Sequence, residues 1–475
     1  MTVTNRIDLP AGIAAWLPAA RWFAGKGSAI EAVSLADECP LPGGLVLALV
    51  DVAAAGEPLR FAVPLDPRDG SDAAATPAFA GWLVDQVAAG RTTATRHGCF
   101  IGHPAGPAPH VTQAATGTPV VSAVGGDASN TSLRVGTAAG DLIVKLIRRC
   151  RSGVQPEVEV GGVLAMLGGR PVAPAFRGWL EYHDAAGRST AIATVHAFLP
   201  GRTTAWDELL GLVASGGLAG PSRERILAIV GALGAKTARM HAAFAAASGE
   251  DFVPRTIAAA ERQAEAAAMA DRAARVLATA PSRVAPASPL AARLARLAAD
   301  GVRITDRLRT AATVDLGAIA IRIHGDYHLG QVLLDPTRLD GDPLVIDFEG
   351  EPGRPLEERR RRSSGCRDVA GMIRSFDYLV RCAARAGGST VAAGDRDHLV
   401  ATFVAAYAAD AAGQPWWPAG DPAPAIAIFA LDKAISELAY ELAHRPDWVA
   451  VPLAALEEFI GSSPDPLCRE ARSAS

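Results

Sequence analysis

Ile323-His324-Gly325-Asp326-Tyr327-His328-Leu329-Gly330-Gln331 and, beyond a turn at Asp340-Gly341-Asp342, Leu344-Val345-Ile346-Asp347-Phe348-Glu349-Gly350-Glu351 are two stretches in which strand-like residues lead into a carboxylate, Asp326 and Asp347. Ile319, Ile321 and Ile323 alternate with Ala320 and Arg322, and Val332-Leu333-Leu334 follows, so both carboxylates are expected at the mouths of neighbouring strands of a small hairpin. An amide side chain, Gln331, comes five residues after Asp326. Phosphoryl transfer to a hydroxyl uses such a set: one carboxylate takes the hydroxyl proton, and a second carboxylate with an amide oxygen holds Mg²⁺ on nucleotide phosphates. Asp326 is the expected base, and Asp347 and Gln331 are the expected metal ligands. Taken singly, His324, Asp326 and Asp347 read equally well as turn and capping residues at strand ends.

Around this hairpin the pattern is helical. Ile226, Val230, Leu233, Thr237, Met240 and Phe244 recur at steps of four and three and define one buried face. Ala-, Arg- and Leu-rich helical stretches are expected near 256–278 and 288–312, and further helices near 368–385, 397–411 and 425–444. Asp368 is placed to N-cap the first of these last three.

Towards the N-terminus the chain turns to strands. Leu133-Arg134-Val135 and Leu142-Ile143-Val144-Lys145-Leu146-Ile147 flank Gly136 to Asp141, which predicts a hairpin, and Pro156 then opens a helix. Lys145 stands between Ile143 and Ile147, where an isolated charge is unfavourable, so a phosphate or a carboxylate of the following helix should meet it. Residues 10–110 mix short apolar runs such as Leu45 to Val50 with turns at Pro40, Pro42-Gly43-Gly44 and Pro67 to Gly70. His103 to His110, HPAGPAPH, is the best linker candidate. A β-rich part followed by a helical part with an embedded hairpin implies a two-lobed architecture with a cleft.

Composition narrows the class. The 475 residues carry 46 Lys+Arg against 50 Asp+Glu, a net charge of −4, so no polyanion-binding surface and no nucleic-acid partner is expected. A hydrophobic content of 49% with 20% charged residues suits a folded chain, and only 5% are aromatic, so the core must be largely aliphatic. The six cysteines show no metal-ligand or disulfide-framework spacing. The start, MTVTNRIDLPAG, lacks a basic-then-apolar leader, and no run reaches about 18 apolar residues, so a cytoplasmic protein without a membrane anchor is expected.

On these residues the chain resembles kinases of the aminoglycoside and choline phosphotransferase type, with their H-G-D-x-x-x-x-N and I-D-x-E patterns. It is closer still to the bacterial maltokinases, whose H-G-D-x-H-L-G-Q-V and I-D-F-E-G-E-P-x-x-P-L-x-E-R-R stretches are matched by His324 to Val332 and Ile346 to Arg360. Leu17 to Gly27, LPAARWFAGKG, resembles the start of the N-terminal cap those enzymes carry; by itself Arg21-Trp22-Phe23 is an aromatic anchor beside a glycine turn.

The resemblance implies an α+β, bilobal, protein-kinase-like fold of the aminoglycoside phosphotransferase type: cap at 1–110, β-rich nucleotide lobe at 111–205, and helical C-lobe at 206–475. It implies ATP and Mg²⁺ as cofactors and a small-molecule sugar as acceptor. Ser129-Asn130-Thr131-Ser132, preceded by Gly125-Gly126, resembles the segment that turns over the phosphates. Lys145 joins this group, and Glu159 matches the helix glutamate that pairs with it.

The acceptor side is expected to involve His324, Glu349, Glu437, Tyr440, Glu441, Arg445 and Trp448. Two positions depart from the maltokinase pattern, Ser436 in place of Tyr and His444 in place of Asn, and both fall where the sugar is recognised. Arg359 to Arg362, preceded by Glu357-Glu358, reads as a solvated, internally paired face. The implied activity is conversion of maltose to maltose 1-phosphate, feeding α-glucan synthesis. Glucosamine kinase is the alternative within the class, and a nucleotide-binding regulatory protein without catalysis the alternative outside it.

Overall fold

The computed structural model describes residues 9–23, 25, 29–54, 58–105, 119–125, 129–167, 169–351, 353–385 and 394–461. Most of the expected linker, together with Lys26, Gly27, Gly126 and Cys468, lies outside them. The chain forms two compact units, 1–200 with 346–360, and 201–345 with 361–475. The segment 346–360 thus packs with the first unit rather than with the rest of 206–475.

The first unit holds strands β1 (Ile30–Pro40), β2 (Val46–Ala54), β3 (Leu59–Leu65), β4 (Thr92–Ala94), β5 (Gly98–Pro104), β6 (Val121–Val124), β7 (Thr131–Val135), β8 (Leu142–Leu146), β9 (Arg149–Cys150), β10 (Phe176–Asp184) and β11 (Ser189–Ala197). Helices α1 (Leu9–Trp16), α2 (Pro77–Ala88), α3 (Pro156–Met166) and α9 (Leu356–Arg359) complete it. One sheet runs β1-β2-β3-β9 and the other β4-β5-β10-β11-β8-β7-β6. The second crosses the expected boundary near residue 110, because β5 pairs along β10 from Gly178 with Pro104 to Asp184 with Gly98.

A single apolar core joins Leu47, Phe79, Leu83 and Phe100 of the cap to Leu133, Val144, Leu146 and Ile192. The other face of β2 and β3 is covered by Ile13, Leu17, Trp22 and Phe23, so Trp22-Phe23 is an aromatic anchor. Helix α2 was not expected among the short strands; Thr76 caps it, its hydroxyl accepting from the Phe79 N–H, with Pro77 in the first turn. The β7–β8 hairpin and the start of α3 at Pro156 fall where the sequence places them.

The second unit contains α4 (Ala205–Ala214), α5 (Arg223–Ala246), α6 (Ala259–Thr279), α7 (Pro289–Ala299), α8 (Gly301–Arg309), α10 (Cys366–Arg385), α11 (Asp395–Ala411), α12 (Ala423–His444) and α13 (Ala450–Gly461). Short strands β12 (Thr203–Thr204), β13 (Arg255–Thr256), β14 (Ile319–Ala320), β15 (Val332–Leu334) and β16 (Leu344–Val345) accompany them. The face predicted for α5 is the one it buries, from Ile226 to Phe244. Strand β15 pairs with β16 and with β12, while β14 pairs with β13. Only Ile319 and Ala320 of the expected alternating run are strand, and Ile321 makes an isolated bridge to Ser363.

Candidate active site

In the first unit, strand alternation separates two faces of the hairpin. Leu133, Val135, Val144 and Leu146 turn into the core, whereas Ser132 lies opposite Lys145 in register on the other face. The Lys145 ammonium is 7% exposed and meets Glu157 Oε2 at 2.9 Å, Asp347 Oδ1 at 2.5 Å and Glu349 Oε1 at 2.5 Å. The Asn130 amide donates to Glu349 Oε1 at 2.7 Å and to Ser129 Oγ at 3.3 Å. Asp347 has a φ of +65°, a strained conformation for a residue with a Cβ, of the sort that gathers at functional sites.

Burial pushes the Glu349 carboxyl up; the Asp347 and Glu157 carboxylates add to this, and Lys145 opposes it. Burial also acts on Glu157, but Lys145 and His196 outweigh it and hold that carboxyl low. Glu157, Asp347 and Glu349 each offer an oxygen within 4.8 Å of the others, with the Lys145 ammonium among them and Arg359 3.9 Å from Glu349 Oε2. Hard carboxylate oxygens gathered this closely are the donor type that suits Mg²⁺.

One expectation is corrected. The glutamate that meets Lys145 is Glu157, while Glu159 pairs with Arg360 at 2.9 and 3.1 Å. Two residues on a helix lie about 200° apart, so only one of the pair can face the β8 lysine. A second correction concerns Thr131. It shares the core face with Leu133, and its hydroxyl accepts from the Arg148 Nε at 2.8 Å, so its side chain turns away from Lys145. A third concerns Glu349, expected on the acceptor side, which stands in the Lys145 cluster.

The arginine run is a solvated, internally paired face only in part: Arg361 is exposed and Arg360 pairs with Glu159. Arg359 is buried and donates to the Arg354 carbonyl. In the second unit, Arg362 donates to the carbonyls of Glu250 and Val253.

In the second unit, the segment around Asp326 is held by α10. Asp368 accepts from the backbone N–H of His324 at 2.7 Å and of Gly325 at 2.9 Å, and from His241 Nε2 at 3.0 Å. Asp368 therefore anchors this segment instead of capping its own helix. Gly371 lets α10 approach it: a Cβ there would lie 2.6 Å from the Tyr327 carbonyl. Ser375 Oγ accepts from Leu329 N–H, and the Tyr327 hydroxyl accepts from Thr237. His324 is 2% exposed and its Nδ1 accepts the Asp326 N–H, so it supports the loop rather than facing an acceptor.

Asp326 Oδ1 accepts from Lys433 Nζ of α12 at 2.8 Å. Burial raises the Asp326 carboxyl, but Lys433, His328 and His324 together overcome it and hold it at about 2. Asp326 is thus ionised, as a proton acceptor must be. Gln331 closes the short turn Leu329–Gln331 and is partly buried.

The acceptor carboxylates expected on α12 are engaged within the protein. Glu437 accepts from Arg374 at 2.7 and 3.0 Å. Glu441 is 1% exposed and bonded to Arg445 at 2.5 and 2.9 Å and to the Tyr378 hydroxyl. Arg445 also lies over the Tyr440 and Trp448 rings, at 5.3 and 5.5 Å, and Tyr440 is half-exposed beside His444.

Sequence reasoning missed Glu157 and Lys433. Glu157 carried the same signal as Glu159 in Pro156-Glu157-Val158-Glu159. Lys433 could have been noticed as a lone cation inside the largely apolar run Ala423 to Leu442.

Comparison with known proteins agrees with this chemistry. The profile of the phosphotransferase enzyme family matches residues 120–350, and that of the maltokinase N-terminal cap domain matches 16–94. A glucosamine kinase of Mycolicibacterium smegmatis is 30% identical over 337 residues, covering 70% of this chain and 78% of that protein. A glucosamine kinase of Streptacidiphilus jiangxiensis is 29% identical over 343 residues, covering 70% and 72%. A solved glucosamine kinase in complex with glucosamine, ADP and inorganic phosphate is similar over 96% of this chain and 100% of its own, with a TM-score of 0.64 at 25% identity.

Proposed function

The chain belongs to the phosphotransferase enzyme family and carries the maltokinase-type N-terminal cap, and from that premise we propose that it is an ATP-dependent kinase of an amino sugar, with glucosamine as the acceptor. The observation that carries the kinase reading is the pair of ionic arrangements built from the two motif segments: Asp326 held ionised by Lys433, and Lys145 ringed by Glu157, Asp347 and Glu349.

In this reading Asp326 accepts the proton of the acceptor hydroxyl as the phosphoryl group arrives. Lys145 draws on the nucleotide phosphates, and Glu157 keeps the ammonium in place. Ser129 and Asn130 form the turn that lies over the phosphates, and Ser132 follows it on β7 opposite Lys145. Asp347 and Glu349 would hold Mg²⁺, which neutralises phosphate charge when bound.

Support for glucosamine comes from the curated relatives and from Ser436, which removes an aromatic surface that a two-ring sugar would use. Maltose is the second reading, supported by the match of His324 to Val332 and Ile346 to Arg360 to the maltokinase pattern. A coupled ADP-release assay over a panel of mono- and disaccharides tests both. A kcat/KM for glucosamine at least about tenfold above that for maltose, a transition-state preference of about 1.4 kcal/mol, is the expected result. The reverse ratio selects maltose, and no ADP release with any sugar removes the kinase reading.

A further inference from the structure

Arg148 follows β8 and is 1% exposed, one of the largest side chains that the first unit buries completely. Its guanidinium links three places distant in sequence. Nη2 donates to Asp72 Oδ2 at 2.7 Å, Nε donates to Thr131 Oγ1 at 2.8 Å, and the group lies over the Trp22 ring at 4.5 Å. Its backbone carbonyl accepts from Ala62 N–H at 2.9 Å. Trp22, Ala62 and Asp72 fall within the stretch matched as cap, and Thr131 and Arg148 within the phosphotransferase stretch.

Thr131 directly follows Asn130, whose amide holds Glu349. Arg148 therefore grips the first residue of β7, directly after the 129–130 turn, from the core side of the sheet, while Asn130 and Ser132 serve the side of Lys145. A buried guanidinium is costly to desolvate, and an apolar anchor would pack the core without that cost. What the guanidinium adds is direction: its planar fork fixes the Thr131 hydroxyl and the Asp72 carboxylate at set angles against a flat indole.

We propose that Arg148 is a positioning residue through which the N-terminal cap sets the 129–130 turn at the head of β7 and thereby the affinity for the nucleotide. This rests on reading that turn as the nucleotide-phosphate loop. The cap's Trp22 and Asp72 hold the guanidinium, the guanidinium holds Thr131, and Thr131 fixes where Asn130 begins. The cap takes no part in bond making.

The test uses the full chain with Thr131→Val, Asp72→Asn and the double variant. It reads Kd for Mg·ADP by calorimetry, KM for ATP, KM for the acceptor, and kcat. Thr131→Val removes the acceptor with little change of shape, and Asp72→Asn removes charge at a partly exposed position. Expected are a rise of about tenfold in Kd for Mg·ADP and in KM for ATP for Thr131→Val, and about threefold for Asp72→Asn. The acceptor KM and the kcat at saturating ATP should stay within about twofold, and the double variant should fall short of the product of the singles, because both act through one guanidinium. Folded variants with unchanged nucleotide affinity, or a fall in kcat and in both affinities together, overturn the proposal. If the unaltered protein does not bind Mg·ADP, the nucleotide reading itself falls; if it binds and the variants bind equally, only the role of Arg148 falls.

Discussion

The Lys433 ammonium lies 2.8 Å from the Asp326 carboxylate, joining α12 to the loop that carries the candidate base. A cation so placed keeps the carboxylate ionised in a site whose burial would otherwise favour its acid form. In the proposed reaction it also puts a positive charge beside the hydroxyl that gives up its proton to Asp326.

Asp326→Asn should lower kcat by about 10²–10⁴ while Mg·ADP binds as before. The base acts on the acceptor and does not hold the nucleotide. Steady-state kinetics with calorimetry checks this, and a variant keeping most of its turnover refutes the assignment.

Lys433→Met should move the acid limb of the kcat/KM profile upward in pH. With the lysine gone, burial loses its largest opponent, so the Asp326 pKa rises from its value of about 2. The stability counterpart has the same origin. A depressed carboxyl stabilises the fold above its unfolded pKa, and that contribution is lost as pH falls from about 4 towards about 2. A pH–rate profile that superimposes on that of the unaltered protein would count against Lys433 as the group that sets this ionisation.

Glu157→Gln and Glu159→Gln should behave differently although the residues are near neighbours. The first removes a buried partner of Lys145 and should raise KM for ATP by at least about tenfold. The second removes the partly buried pair with Arg360, and KM should change little. Equal effects in kinetics and thermal melts would return Glu159 to the role expected from the sequence.

Asp347→Ala should raise the Mg²⁺ concentration needed for half-maximal activity, with a smaller effect on acceptor KM. The carboxylate cluster loses one of its three oxygens, and the more exposed one. Titration of activity with Mg²⁺ reads this directly, and an unchanged metal curve would remove Asp347 from the ligand set.

The sequence by itself determined the elements and the chemistry-bearing segments. Periodicity marked the α5 face, Pro156 marked the start of α3, and the alternation around Gly136 to Asp141 marked the β7–β8 hairpin, because such signals are read from neighbours in the chain. The pairing of Glu441 with Arg445 was also within reach, being an i,i+4 pair on one helix end. Only the tertiary structure decided which charges meet. Whether Glu157 or Glu159 faces Lys145 depends on the rotation of α3 against the sheet, Glu437 is claimed by Arg374 from α10, and Lys433 reaches Asp326 from a helix 107 residues away. Ion-pair partners are set by the packing of whole elements, and one turn of rotation or translation exchanges one partner for another without altering any local pattern.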